Sequence, residues 1–172
     1  MKKLDRLFIS LLAVGLLAFT GMVSLAQAPD RGDAKATIGT ANVTINYGRP
    51  SLKGRDPPKM LQPGQVWRMG SNASTTIESN VELDFGGTRV AKGKHILLAH
   101  LAEPGKWTLV VSSKPYNQYD PRAKLAGVPM ELKEAADSVE QVTIQLASKD
   151  GKGIIEVAWG KLRLTASFAA AK

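Results

Sequence analysis

The 172-residue chain has no cysteine. That excludes a thiol nucleophile, a thiolate metal centre, a disulfide framework and lipid attachment through cysteine. It has two histidines, His95 and His100. They are five apart in a strand-like stretch, so an unbroken strand points them to opposite faces. Neither a shared metal nor joint action on one substrate fits that spacing. No GxSxG elbow, GxxxxGK[ST] loop or GxGxxG loop occurs, which removes the standard phosphate cradles and the common hydrolase signature. The acidic residues Asp84, Asp120, Asp137 and Asp150 are scattered. Asp150-Gly151-Lys152-Gly153 lacks the further oxygen ligands of a calcium loop. No catalytic residue, metal ligand or cofactor motif is therefore assigned.

Helical periodicity is almost missing too. Val43, Ile45 and Tyr47 alternate with Thr44 and Asn46. The same period of two recurs at Val81–Phe85, Trp107–Val111, Val142–Leu146 and Ile155–Trp159, and again at Leu162–Phe168. Each set places one apolar face inward. Gly86-Gly87 marks a two-residue hairpin turn, and Lys149 to Gly153 marks a longer one. Gly160 marks a bend or bulge between the last two strands. The expectation is an all-β domain, a single antiparallel β-sandwich or barrel of jelly-roll type with one long Arg/Gly/Pro-rich loop. Only Met130 to Asp137 has helical composition, with Pro129 placed to start it. Tyr116 to Val128 reads as loop.

The N-terminus has the pattern of a secretory signal. Lys2, Lys3 and Arg6 precede an apolar run from Leu7 to Phe19, and Ser24-Leu25-Ala26-Gln27-Ala28 offers small residues for cleavage. A cut after Ala26 or after Ala28 fits. Ala26 is preferred, because a cut after Ala28 sets Pro29 against the scissile bond. The run is short and interrupted for a membrane span. The expected organisation is a signal at 1–28, a flexible lead-in at 29–35 and one β domain at 36–169, in a periplasmic or secreted protein. Signal removal takes away Lys2, Lys3 and Arg6 against Asp5, so the formal charge of +8 falls to +6. A positive surface admits polyanions. Nucleic acid is set aside, because export separates the protein from it and no basic helix or aromatic-basic RNA motif appears.

The densest chemistry lies between Tyr47 and Thr76. Arg49, Lys53, Arg55 and Lys59 are interleaved with Pro50, Gly54, Pro57 and Pro58, which forces a loop. Arginine's planar fork suits carboxylate, phosphate or sulfate. Trp67-Arg68 follows, with Asn72, Thr75 and Thr76 nearby. Here Trp67 is expected in the core, with Arg68 pointing the other way. Tyr116, Asn117, Gln118, Tyr119 and Asp120 make a third group, whose tyrosines offer a flat apolar face and a polar tip. The candidate ligand-binding set is Arg49, Lys53, Arg55, Arg68, Asn72, Thr75, Tyr116 and Tyr119. The same residues serve equally to tie loops to the sandwich.

The runs Tyr47-Gly48-Arg49-Pro50-Ser51-Leu52-Lys53-Gly54-Arg55 and Val66-Trp67-Arg68-Met69-Gly70-Ser71-Asn72-Ala73-Ser74-Thr75 resemble the bacterial family called domain of unknown function 2911. There, YxRPxxKGR is followed by VWRxGxNxxT. The similarity runs from Ala36 to Phe168, with weaker support at Lys92-Gly93, Trp107-Thr108-Leu109, Tyr119-Asp120 and Glu156–Leu164. His95 stands where the family commonly has tyrosine, and the segment after Asp120 is richer in alanine and proline. The resemblance implies an exported single-domain β protein and supplies no mechanism. Three functions stay open. One is a non-enzymatic exported module binding a small anionic or polar ligand (sugar, phosphate or carboxylate) or an envelope polyanion at the arginine-rich end. Another is a periplasmic hydrolase using His95 or Asp120 with arginine clamps. The third is an envelope structural or interaction protein.

Overall fold

The computed structural model describes residues 30–172, and the signal segment at 1–28 lies outside the described residues. The strands are β1 (Arg31–Ile38), β2 (Ala41–Gly48), β3 (Val66–Trp67), β4 (Thr76–Ser79) and β5 (Leu83–Phe85). They continue with β6 (Thr88–Val90), β7 (Gly93–Glu103), β8 (Lys106–Ser112), β9 (Lys124–Lys149) and β10 (Lys152–Ala170). Short 3₁₀ turns stand at Pro57–Lys59, Tyr116–Gln118 and Pro121–Ala123. The hydrogen-bonded order is β1-β2-β4-β7-β8-β9-β10-β5-β6, with β3 added on β7, and the pairs are antiparallel. The end strands β1 and β6 do not pair, so the sheet is open among the described residues. The architecture is all-β and sandwich-like, not a closed barrel.

The long strand β9 folds the sheet onto itself. Its first part pairs with β8, from Ser112↔Lys124 to Trp107↔Met130. From Glu131 onward it pairs with β10 instead. One strand thus belongs to two ladders, and β1 comes to lie against β9. The alternating residues read from the sequence face the enclosed side. Val43, Ile45, Leu109, Val142, Ile144, Ile155, Val157 and Leu164 are buried in one cluster, which Ile77 and Leu97 join. Phe85 stacks on Phe168 at 5.2 Å, which closes the β5 end of that core. Fully burying such side chains contributes about 1.5–3 kcal/mol each.

Five local expectations are corrected. The end of the segment read as loop, Lys124 to Val128, is strand, because it pairs with Leu109 to Ser112 of β8. Met130–Asp137 is strand, because Glu131–Glu134 supply the partners of Leu162–Thr165 in β10. Tertiary pairing overrides the helical preference of Glu, Lys and Ala there. The lead-in is no tail from Arg31 onward: Arg31 to Ile38 pair with Gly48 to Ala41 along all of β2. The β9–β10 turn is tighter than expected, with Lys149 opposite Lys152 and Asp150 and Gly151 both at positive φ. Finally, Gly160 does not separate two strands. It sits at φ +57° in a bulge inside β10, with the register shifting on either side. The Gly86-Gly87 hairpin turn is present as read, with Phe85 opposite Thr88.

The long loop from Arg49 to Gln65 is fastened to β9. The Leu52 amide donates to the Glu140 carbonyl at 2.6 Å, and the Val142 amide donates to the Pro50 carbonyl at 3.1 Å. Ser51 bridges Gln141. This fastening brings the loop over the β10 bulge, where Leu52 and Pro57 flank Gly160.

Candidate functional site

The fastened loop, the β3–β4 loop and the turn after β8 enclose a cavity of about 440 Å³. The chain has three tryptophans, and all of them, Trp67, Trp107 and Trp159, line it. Trp67 stacks on Trp159 with centroids 5.8 Å apart and planes 13° apart. Trp107 and Trp159 are buried, whereas Trp67 is half-buried. Pro50, Pro57, Leu61, Val66 and Leu162 complete the apolar wall. A cavity of this size and character is within the range of small-ligand sites.

Two guanidinium groups stand in this lining. Arg55 lies over the Trp159 ring at 5.0 Å, and Arg68 lies over the Tyr116 ring at 4.8 Å. Each is attracted by the negative face of its ring. Among the described residues neither pairs with a carboxylate. Arg55 donates to the Ser51 and Leu52 carbonyls, and Arg68 Nη1 donates to the Asn72 carbonyl at 3.2 Å. Among the described residues the lining includes no acidic side chain. The Nε1–H of Trp159 is enclosed without an acceptor among the described residues.

The backbone around the cavity is strained. Among the described residues four non-glycine positions have φ in the left-handed region, and Lys53, Met69 and Asn72 are three of them, at 47°, 50° and 58°. Met69 is fully buried, and its carbonyl accepts from Thr75 Oγ1 at 3.2 Å. Such conformations cost about 1–3 kcal/mol each and gather at binding and switching sites. Close packing fixes the β3–β4 loop. A Cβ at Gly48 would stand 2.6 Å from the Ser71 nitrogen and nearer still to its carbonyl oxygen.

The sequence-derived set divides. Arg55, Arg68, Asn72 and Tyr116 line the cavity together. Trp67 and Arg68 do not face apart, because β3 ends at Trp67 and strand alternation stops there. Thr75 is fully buried and serves the Met69 turn. Arg49 lies outside the lining; its Nε is buried without a partner among the described residues, and its side chain packs near Gly32. Lys53 is exposed, and its amide donates to Glu140 Oε1. Tyr119 lines a separate shallow groove with Gln65, His100 and Lys124. Burial pushes the Tyr119 phenol up, with Asp120 adding to the effect.

The residues named for a hydrolase are engaged elsewhere. His95 Nε2 bonds the Ala91 carbonyl at 2.8 Å. Asp120 caps the turn at Pro121 by accepting from the Arg122 amide at 2.9 Å. That amide bond holds its carboxyl below the usual value; partial desolvation opposes it, and the Arg122 and Lys114 side chains reinforce it. Among the described residues no group of three His, Cys, Asp or Glu side chains is placed to hold a metal.

Three contributors escaped sequence reading. Trp159 and Trp107 looked like strand core and are also cavity wall. Arg31, assigned to the lead-in, anchors the β3–β4 loop. Its Nη1 and Nη2 donate to the Ala73 and Ser74 carbonyls at 3.2 Å each, and its Nε donates to Asn46 Oδ1 at 2.8 Å. The signal available was charge on a residue opposite Gly48 of the Tyr47 motif, visible only once β1 and β2 are known to pair.

The fold and the site define an antiparallel β protein with an aromatic cavity flanked by two arginines. The family model described as a protein of unknown function (DUF2911) matches residues 30–168, and the chain belongs to that family. No curated protein and no solved structure matches it. Among the described residues no helix is long and apolar enough to cross a membrane.

Proposed function

We propose that the protein is an exported, non-enzymatic binding module whose cavity takes a small ligand carrying a ring and an anionic group. The observation that carries this reading is the pair Arg55 and Arg68. Both cations flank an aromatic cavity whose lining, among the described residues, has no carboxylate to neutralise them. An arginine prefers a planar anion it can meet with two parallel N–H donors. Contact with the Trp159 and Tyr116 rings holds the guanidinium groups in place and lowers the ordering cost of binding. The tryptophan walls supply apolar area for a ring. Strain at Met69 and Asn72 supports the same reading, because a structure retains it where geometry matters more than stability.

The hydrolase alternative finds less support. Among the described residues the cavity lining offers Ser71 and Tyr116 but no imidazole or carboxylate to act as base, and a general base must reach the proton it takes. Export rests on the basic start, apolar run and small-residue end at 1–28.

The test is a thermal-shift screen of the purified protein. Galacturonate and phenylacetate are compared with their neutral counterparts galactose and phenylacetamide. A ligand at a hundred times its dissociation constant stabilises by about 2.7 kcal/mol. Stabilisation by the anions and not by the neutral partners is expected. Equal response within each pair would remove the role given to the arginines.

A further inference from the structure

The cavity does not end at Tyr116. That residue, with Val66, also lines the groove of about 590 Å³ that holds Gln65, His100, Tyr119 and Lys124. Tyr116 is 39% exposed, so the ridge between the two depressions is itself open to solvent. The groove continues the chemistry of the cavity. Tyr119 offers an aromatic face, Lys124 a cation, and Gln65 and His100 donors and acceptors. Among the described residues no acidic side chain is in its lining. The nearby carboxylate of Asp120 is held by Lys114 at 3.3 Å and by Arg122 at 3.2 Å.

We propose that the two depressions are subsites of one track that binds an acidic oligosaccharide. Its end ring sits in the tryptophan cavity, and the following rings cross Tyr116 towards Tyr119 and Lys124. This rests on the reading of the cavity as an anion-and-ring site. Alternating aromatic faces and cations suit a chain of rings that each carry a carboxylate. The rings lay their C–H faces on Tyr116 and Tyr119, and the carboxylates meet Arg68 and Lys124. An extended peptide fits less well, because it normally adds to an open strand edge, and the free edge beside the groove is that of β3, only two residues long. His100 lies in β7, which is already paired there by Val66 of β3 on one side and Thr108 of β8 on the other. The excess of positive charge on the chain favours a polyanion in the same direction.

The test is calorimetric titration of the purified protein with galacturonate, tri-galacturonate, phenylacetate and hexaglutamate. Tri-galacturonate is expected to bind at least about tenfold tighter than the monomer, as linked contacts act together. Tyr119→Ala and, separately, the exposed Lys124→Glu should bring the trimer close to the monomer's affinity and leave the monomer unchanged. Circular dichroism of both variants controls for folding, and Lys124→Glu alone decides if Tyr119→Ala unfolds. A trimer no tighter than the monomer overturns the track, as does a trimer indifferent to Lys124→Glu. Tighter binding of hexaglutamate overturns the oligosaccharide in favour of an acidic peptide. If galacturonate or phenylacetate binds alone, the track fails and the cavity reading stands. If none of the four binds, both fail.

Discussion

The guanidinium of Arg68 lies 4.8 Å over the ring of Tyr116. This contact joins the loop after β3 to the turn after β8. Arg68 is half-buried, and its guanidinium donates to the Asn72 carbonyl. It is therefore a hinge between two walls of the cavity more than a member of a buried network. Arg68→Ala should cost about 0.5–1 kcal/mol in chemical denaturation, the worth of a partly exposed cation–π contact. A loss several times larger would place Arg68 among the structural residues and remove it from the site.

Arg31 and Arg49 should behave in opposite ways. Arg31→Met removes donors from Asn46 and from the Ala73 and Ser74 carbonyls. It should cost about 1–3 kcal/mol, since partners are left unpaired. Arg49→Met removes a buried Nε–H that has no acceptor among the described residues, and its stability should change by less than about 1 kcal/mol. Urea denaturation of both variants gives the comparison. Equal losses would show that Arg49 carries contacts beyond its packing near Gly32.

The β3–β4 loop depends on a missing side chain at Gly48. Gly48→Ala places a methyl group against the Ser71 backbone. Overpacking of this kind costs about 1–3 kcal/mol, and backbone on the other side makes relaxation hard. Asn72→Gly should be neutral or stabilising, and Asn72→Val destabilising by about 1–2 kcal/mol, because Asn72 sits at φ 58°. Thermal denaturation of the three variants checks the order. The Asn72→Gly protein should melt at or above the wild type, and the Asn72→Val and Gly48→Ala proteins below it. A Gly48→Ala protein as stable as the wild type would show that the loop is not fixed by this close approach.

The turn that carries Tyr116 and Tyr119 should respond to pH at both ends. The Asp120 carboxyl is lowered from 3.8 by the Arg122 amide before the other groups act. Its stabilising effect is therefore present above 3.8 and is lost as pH falls through the lowered value. The Tyr119 phenol is raised from 10.0, chiefly by burial. Its effect is full below 10.0 and is lost as pH rises through the raised value. Stability measured against pH should lose its acid-side slope in part with Asp120→Asn and its alkaline slope in part with Tyr119→Phe. Profiles identical to wild type would show that neither group is coupled to folding.

Much of the fold was legible because burial on one face writes a period of two directly into the sequence. Val43-Ile45-Tyr47 and Ile155-Val157-Trp159 became strands with the expected inward faces. Met130–Asp137 misled because nothing local to Glu131–Glu134 reveals that Leu162–Thr165 need a partner strand. Arg31 was hidden for the same reason, since its hydrogen bonds to the β3–β4 loop reach residues more than forty positions away. The arginine–glycine–proline run marked loops that line the cavity. It did not separate Arg55 and Arg68, which flank the cavity, from Arg49, which lies outside its lining. Composition gives the residue types, and only the fastening of the loop to Glu140 and Val142 decides which guanidinium reaches the tryptophans.

All three tryptophans line the cavity, so their fluorescence reports directly on whether a ring-bearing anion enters it. The purified protein is titrated with galacturonate and phenylacetate, and in parallel with galactose and phenylacetamide. A saturable change in tryptophan emission is expected with at least one anion, and a weaker response to its neutral partner. The Arg55→Ala/Arg68→Ala variant should bind that anion about tenfold more weakly, the effect of losing roughly 1.4 kcal/mol of binding. Saturation by neutral and anionic partners alike, or an arginine variant that binds as wild type does, would contradict a cavity built for an anion.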